Sequence, residues 1–204
     1  MLFQRLYPFA AFRVKNAGDA KVAYLTFDDG TIPEVTPRVL EILARYGVKA
    51  TFFVVGENIE KYPEVFKQVV QAGHAIGNHT YNHIKGWQYS TDEYLANVVK
   101  CEALLSPSAS RLSPLFRPPY GKATWLQRRA LTRMGYRIYM WDVLTHDYNA
   151  SYTSERMLQI IRRYTRNGSV INFHDSLKSN ERMLATLPKA IEWLQAEGYE
   201  LRTL

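Results

Sequence analysis

Short apolar runs alternate with helical stripes along most of this chain. Runs of strand character lie at residues 22–27, 50–55, 136–141, 170–174 and 199–201. Between them, Val35, Val39, Ile42, Leu43 and Tyr46 keep the spacing of one helix face, and Gly47 follows as a stop. Leu184, Leu187, Ile191 and Leu194 repeat that spacing ahead of Gly198, and Met157, Leu158, Ile161 and Tyr164 form another stripe. Pro63 suits the first turn of a helix through Val65, Val69 and Val70. Ser90 with Glu93 has the form of a capping box opening a helix through Leu95, Val98 and Val99. Strand–helix alternation of this kind predicts an α/β fold with a largely parallel sheet. At roughly 30 residues per unit, about six or seven βα units fit. A doubly wound sheet and a small barrel both satisfy the pattern, and in either one functional groups are expected at the C-terminal ends of strands.

Composition narrows the picture a little. At 204 residues and 47% hydrophobic, the chain has material for one core, so a single domain over residues 1–204 is expected, its core from about residue 20 onward. Charge, Gly or Pro breaks every apolar run well before the ~18 residues a membrane span needs. Gln4, Arg5, Pro8 and Arg13 interrupt the N-terminal stretch, so no signal peptide is expected and a cytoplasmic location follows as the expectation. The one cysteine, Cys101, falls in a helical apolar pattern and reads as a buried, inert thiol. The net charge of +7 would suit an anionic partner, but its only tight clusters, Arg128–Arg129 and Arg162–Arg163, read as solvated helix faces. No basic-aromatic motif of a nucleic-acid reader is present, and no nucleic acid is expected as partner.

The polar residues at strand ends carry more. Asp28 and Asp29, before Gly30, end the first clear strand, where two adjacent carboxylates need a cation or a turn to explain them. Strand alternation would send their side chains different ways, one to a metal and one to act as a base. His79 and His83 stand four residues apart, a spacing that on a helical turn lets both reach one ion. Three of the five histidines lie between Gly73 and His83, which weakens coincidence as the explanation; His74 reads as structural. Arg117 opens an Arg-Pro-Pro-Tyr-Gly segment, where a fixed charge can hold a carboxylate and the stiffened backbone can aim the N–H of Tyr120 or Gly121 at a developing oxyanion. Asp147 and Tyr148 follow the 136–141 run, and His174 ends the 170–174 run with Asn172 on its face and Ile171 and Phe173 on the other. An imidazole so placed can serve as a general acid. Each motif alone has a bland reading as a turn, a rigid loop or a structural histidine. Together they supply a metal site, a base, an arginine, an oxyanion donor and an acid.

With those motifs in that order, the chain resembles the polysaccharide deacetylase family, also called the NodB-homology domain or carbohydrate esterase family 4. The resemblance runs from Val22 to about Tyr199 and rests on Thr26-Phe27-Asp28-Asp29-Gly30, on His79-Thr80 with His83, and on Arg117-Pro118-Pro119-Tyr120. It implies a distorted, incomplete (β/α)7 barrel, and a hydrolase that removes N-acetyl groups from an amino-sugar glycan. It implies Asp29, His79 and His83 as ligands of one divalent metal ion, zinc in the first place and cobalt, nickel or manganese as alternatives. Asp28 would be the base, kept ionised by Arg117. The Tyr120 N–H would share the oxyanion, and His174, tuned by Asp147, would be the acid. The chain departs from the family pattern in having Leu144 for an aspartate, Tyr148 for a tryptophan and Asn172 for a leucine. Those exchanges make the acyl pocket more polar, and Tyr148 and Asn172 are therefore expected to touch substrate. Trp87, Tyr89 and Trp125 are candidates to stack on sugar rings. The competing readings are an O-acetyl esterase, a hydrolase of another amide, and a glycan-binding module without catalysis. Oligomeric state is not readable from the sequence.

Overall fold

The computed structural model describes residues 7–15, 20–105 and 114–204. In chain order the strands are β1 (Ala10–Ala11), β2 (Val22–Asp28), β3 (Thr51–Val54), β4 (Ala75–Asn78), β5 (Leu115–Phe116), β6 (Arg137–Tyr139), β7 (Val143–Leu144), β8 (Ser169–His174) and β9 (Glu200–Leu201). The helices are α1 (Thr36–Arg45), α2 (Gly56–Lys61), α3 (Pro63–Gln71), α4 (Thr91–Leu105), α5 (Trp125–Arg133), α6 (Ser154–Tyr164) and α7 (Asn180–Ala196). All strands join one sheet in the order β1-β6-β5-β4-β3-β2-β8-β7, with β9 pairing the start of β2. Every strand pair is parallel. Among the described residues no helix is long and apolar enough to cross a membrane.

Alternation along β2 and β8 decides what lies on each side. Ala23, Leu25 and Phe27, with Ile171 and Phe173, turn outward and are fully buried against Val39 and Leu43 of α1 and Leu187 and Ile191 of α7. Phe27 lies stacked between Phe52 and Phe173, centroids 5.0 and 5.8 Å away. The opposite positions, Thr26, Asp28, Asn172 and His174, turn into the concave side. On β3, Phe53 also faces inward, beneath Arg117, and Gly77 of β4 gives it room: a Cβ there would lie 2.4 Å from the Phe53 ring.

The sheet curls without closing by regular strand pairing. Residues after β1 bridge the gap: Arg13 pairs antiparallel with Ser169, and Val14 N–H donates to the carbonyl of Gly168 at 2.9 Å. Between β6 and β7 the chain crosses to the other edge, its Met140 N–H bonded to Ala11 and its Asp142 N–H to Val170. The fold is thus a distorted, incomplete (β/α)7 barrel, as the resemblance implied. The expected strands and helices all form, each within a few residues of its pattern. The runs read from the pattern lack β1, β4, β5 and β7, and the stripes lack α2 and α5, which are too short or, in α5, too polar to show a stripe. The α5 start is nevertheless well signed, since Thr124 and Gln127 form a reciprocal capping box.

Candidate active site

The site lies at the C-terminal ends of β2, β4, β5 and β8, where the concave side opens. Asp28 is the last residue of β2 and points inward; it is 2% exposed. Asp29 departs from the strand at φ 81°, so the two carboxylates part company through a left-handed residue rather than by simple alternation. The turn is held from three sides. Asn58 donates to the Asp29 carbonyl at 2.7 Å, Asp175 accepts from Gly30 N–H at 3.0 Å, and Thr36 Oγ1 donates to the same Asp175 at 2.6 Å. A Cβ on Gly30 would collide with the Asp175 carboxylate, which explains the glycine. Asp175, Asn58 and Thr36 escaped the sequence reading; only the position of Asp175 beside His174 hinted at it.

His79 and His83 do meet, but the expected helical turn is absent. Residues 79–85 form an irregular loop, with Thr80 at φ 68° and His83 at φ 57°. Asn78 shapes it by accepting the Thr80 N–H at 2.8 Å, a local bond that competes with helix. The imidazole rings end 5.1 Å apart. His79 Nδ1 lies 2.7 Å from the carbonyl of Arg117, which fixes that nitrogen as the N–H and leaves Nε2 facing Asp29. Burial pushes His79 down to about 4, so the ring is neutral, as a metal ligand must be.

Asp29 Oδ1 lies 3.2 Å from His83 Nε2 and 3.7 Å from His79 Nε2, buried and with no hydrogen-bond partner. The three ligand atoms lie within 4.8 Å of one another. An orphaned buried oxygen facing two imidazole nitrogens costs free energy unless a cation sits between them. One carboxylate and two histidines fit a divalent ion with positions left over for substrate or water.

Arg117 is the organising residue inside the barrel and is fully buried. Its Nη1 lies 2.7 Å from Asp28 Oδ1, 2.8 Å from Thr26 Oγ1 and 2.6 Å from Asn172 Oδ1. Nε and Nη2 donate to the carbonyls of Tyr139 and Met140 at 3.0 and 2.9 Å, just where the chain leaves β6. The guanidinium carbon lies 4.1 Å from the Phe53 ring centroid. A buried charge of this kind is tolerated because every side of it is paired.

Asn172 belongs to this network, and here the expectation of substrate contact is corrected. It is fully buried; Nδ2 donates to Asp28 Oδ2 at 3.0 Å and Oδ1 accepts from Arg117 and Thr26. Arg117 and Asn172 thus grip both oxygens of Asp28 from below. A leucine here would leave one of them ungripped. The polar exchange read from the sequence is real, but it acts on the carboxylate and not on the acyl pocket.

Across the opening stands His174. Asp147 accepts from its backbone N–H and from its ring Nδ1, both at 2.7 Å, and is itself fully buried. Burial alone would lower the imidazole, but the bond and charge of Asp147, reinforced by Asp29 and Asp28, push it up to about 9. Arg182 holds the Asp147 carbonyl at 3.0 and 3.2 Å. Tyr148 is exposed at the rim, its ring edge-on to His174 with centroids 5.1 Å apart, a place from which it can meet substrate. Opposite, the Tyr120 ring lies 4.6 Å from His83. Tyr120 is left-handed at φ 57°, and the bonds of its turn use the N–H groups of Gly121 and Lys122 instead of its own. His74 stays away from the site: it accepts the Ala50 N–H at 3.1 Å and packs on Phe52, as a structural residue should.

An open parallel barrel with an Asp-His-His cluster, a gripped carboxylate and a carboxylate-backed imidazole defines a class, the metal-dependent hydrolases that activate water at the strand ends. Within that class the chain belongs to the polysaccharide deacetylase family, whose model matches residues 15–139. It is 36% identical over 186 residues to a peptidoglycan-N-acetylglucosamine deacetylase of Bacillus cereus, covering 91% of this chain and 67% of that one. It is 33% identical to a chitooligosaccharide deacetylase of Azorhizobium caulinodans, covering 89% of this chain and 91% of that one. Among solved structures, a peptidoglycan N-acetylglucosamine deacetylase in complex with 4-naphthalen-1-yl-N-oxidanyl-benzamide superposes with a TM-score of 0.90 at 33% identity, covering 96% of this chain and 91% of that one. A pseudoenzyme of the same carbohydrate esterase family from Bacillus anthracis superposes at 0.86 and 25% identity, covering 98% of this chain and 69% of that one.

Proposed function

We propose that this protein hydrolyses the N-acetyl group of an N-acetylglucosamine residue within a glycan, releasing acetate and leaving the free amine. The observation that carries this reading is Asp28, gripped through both oxygens by Arg117 and Asn172 beside the Asp29–His79–His83 cluster. A module that only bound glycan would need no such carboxylate beside its ligand set.

Asp29, His79 and His83 would hold a divalent ion, zinc by the preference of one carboxylate and two imidazoles. When bound, the ion supplies a Lewis acid and lowers the pKa of water to ~7. Asp28 takes the proton as water attacks the acetyl carbon. The Tyr120 N–H faces the carbonyl oxygen as its charge grows. His174, protonated at neutral pH because Asp147 backs it, gives a proton to the leaving nitrogen as the C–N bond breaks.

Acetate release from N-acetylglucosamine oligomers and from O-acetylated sugars of equal length tests the proposal, using zinc-loaded wild type and Asp28→Asn. The N-acetylated substrate should be turned over, and the variant should lose about 10²- to 10⁴-fold in kcat. Release from the O-acetylated sugars alone would make the protein an esterase. Release from neither, in protein shown to hold zinc, would leave the silent-module reading standing.

A further inference from the structure

No Asp or Glu occurs in residues 1–18 or in residues 103–141, although the first stretch holds three Lys or Arg and the second seven. The fold packs these two stretches together on one flank, away from each other only in sequence. β1 pairs with β6, Ala10 opposite Ile138. The Arg128 guanidinium of α5 lies 4.4 Å from the Tyr7 ring centroid, and its Nε donates to the Pro8 carbonyl at 3.4 Å. The Phe9 and Trp125 rings meet with centroids 6.3 Å apart. The flank so built has no carboxylate of its own.

Its outer surface is set by α5. That helix turns Gln127, Arg128 and Leu131 inward, which leaves Trp125, Leu126, Arg129 and Arg133 on the outward arc. Trp125 is 45% exposed, Leu126 58% and Phe9 beside them 46%. The Arg129 guanidinium lies 5.0 Å from the Trp125 centroid. Among the described residues neither Arg129 nor Arg133 takes part in an ion pair. Of the acids on α4, which packs against α5, Glu93 accepts from Ser90 and Glu102 from Tyr136. Asp142, the first acid after the second stretch, is paired with Arg13.

Two rings and a leucine exposed side by side form an apolar tip, and the arginines follow one and two turns along the same helix. This is the composition of a surface that enters the headgroup layer of a bilayer, where rings reach the acyl boundary and guanidiniums meet lipid phosphates. A nucleic acid would match the charge but leave Leu126 and Phe9 without a counterpart. We propose that this flank is a membrane-contact surface: Phe9, Trp125 and Leu126 insert at the headgroup layer of a bilayer rich in anionic lipid, and Arg129 and Arg133 bind its phosphates. The contact is independent of the deacetylase reading, since it uses none of the residues placed at the site.

Flotation of the full chain with vesicles of phosphatidylcholine, and of phosphatidylcholine with an equal part of phosphatidylglycerol, tests the proposal. Binding should be confined to the anionic vesicles and should weaken as salt rises. At about five-fold per surface arginine, Arg129→Gln/Arg133→Gln should bind roughly 25-fold more weakly. Trp125→Ser/Leu126→Ser should lose about ten-fold or more. These four positions are exposed, so each variant should keep the wild-type thermal transition. A second measurement needs no loss of binding. Lipids brominated on the acyl chain should quench the tryptophan fluorescence of bound wild type, and in Trp125→Phe, which still inserts a ring, that quenching should be gone. Equal binding to neutral vesicles, no binding to either, or quenching that survives in Trp125→Phe overturns the proposal. Soluble polyphosphate that binds as tightly as the vesicles, with no quenching by lipid, would assign the flank to an anionic polymer and overturn it as well.

Discussion

Asp147 grips His174 twice, through the backbone and through the ring, and this bond sets when the imidazole gives up its proton. A general acid works only while protonated, so activity falls as pH rises through its pKa. Replacing Asp147 with Asn removes the charge that, with its hydrogen bond, does most to raise His174 to about 9. The basic limb of the kcat/KM profile is expected to move to lower pH in Asp147→Asn; a limb that stays put would take His174 out of the acid role. His83→Ala removes one of the three proposed ligands, and calorimetry on metal-stripped protein should show one tight zinc site in wild type and a greatly weakened one in the variant. At this scale the sequence was most legible. Strand-end carboxylates and histidines are costly to keep without a purpose, so Asp28, Asp29, His79, His83 and His174 stood out once they were taken together. Asn172 did not, because whether an asparagine faces a substrate or an arginine depends on what residue 117 does, 55 positions away.

Elements form where the pattern is strong and are joined where it is silent. The seam of the barrel is an example: the bridge between residues 13–14 and 168–169 involves no periodic motif. Gly168 is left-handed at φ 83°, and a Cβ on it would lie 1.9 Å from the Val14 carbonyl oxygen. Gly168→Ala should therefore cost about 2 kcal/mol or more, from the left-handed penalty plus the collision. In a domain of this size that is a Tm lower by roughly 4–8 °C in calorimetry. An unchanged Tm would show that the seam does not support the barrel. The 79–83 loop teaches the same lesson from the other side. Its i, i+4 spacing is genuine, but Asn78 captures the Thr80 N–H and diverts the chain from the helix that the spacing suggested.

For the whole molecule, acid sensitivity follows from buried neutral histidines. Burial holds His74 down at about 4, against 6.5 for a free imidazole. Above pH 6.5 neither the folded nor the unfolded chain binds this proton and stability is complete. Between 6.5 and about 4 the unfolded chain takes it up and the folded one does not, so stability falls with pH. In metal-stripped protein, urea unfolding at pH 7 and at pH 4.5 should show a smaller drop for His74→Gln than for wild type. Glutamine keeps an acceptor for the Ala50 N–H and does not titrate. An equal drop would place the acid sensitivity elsewhere, with His79 the next group to examine.

The sequence by itself determined the α/β alternation and the list of reactive side chains, because each is written in local terms: the period of the apolar residues, a stop glycine, a polar residue where a strand ends. Only the tertiary structure decided how these groups are divided among tasks. The curl of a parallel sheet brings β2, β4, β5 and β8 to one opening, and inside it Arg117 joins Asp28, Thr26, Asn172 and two carbonyls of the β6 end. It also sets Lys85 over the Tyr120 ring that packs on His83, and Lys122 over Trp87. Such arrangements are set by contacts between distant segments, and along a single chain they have no period and leave no local mark.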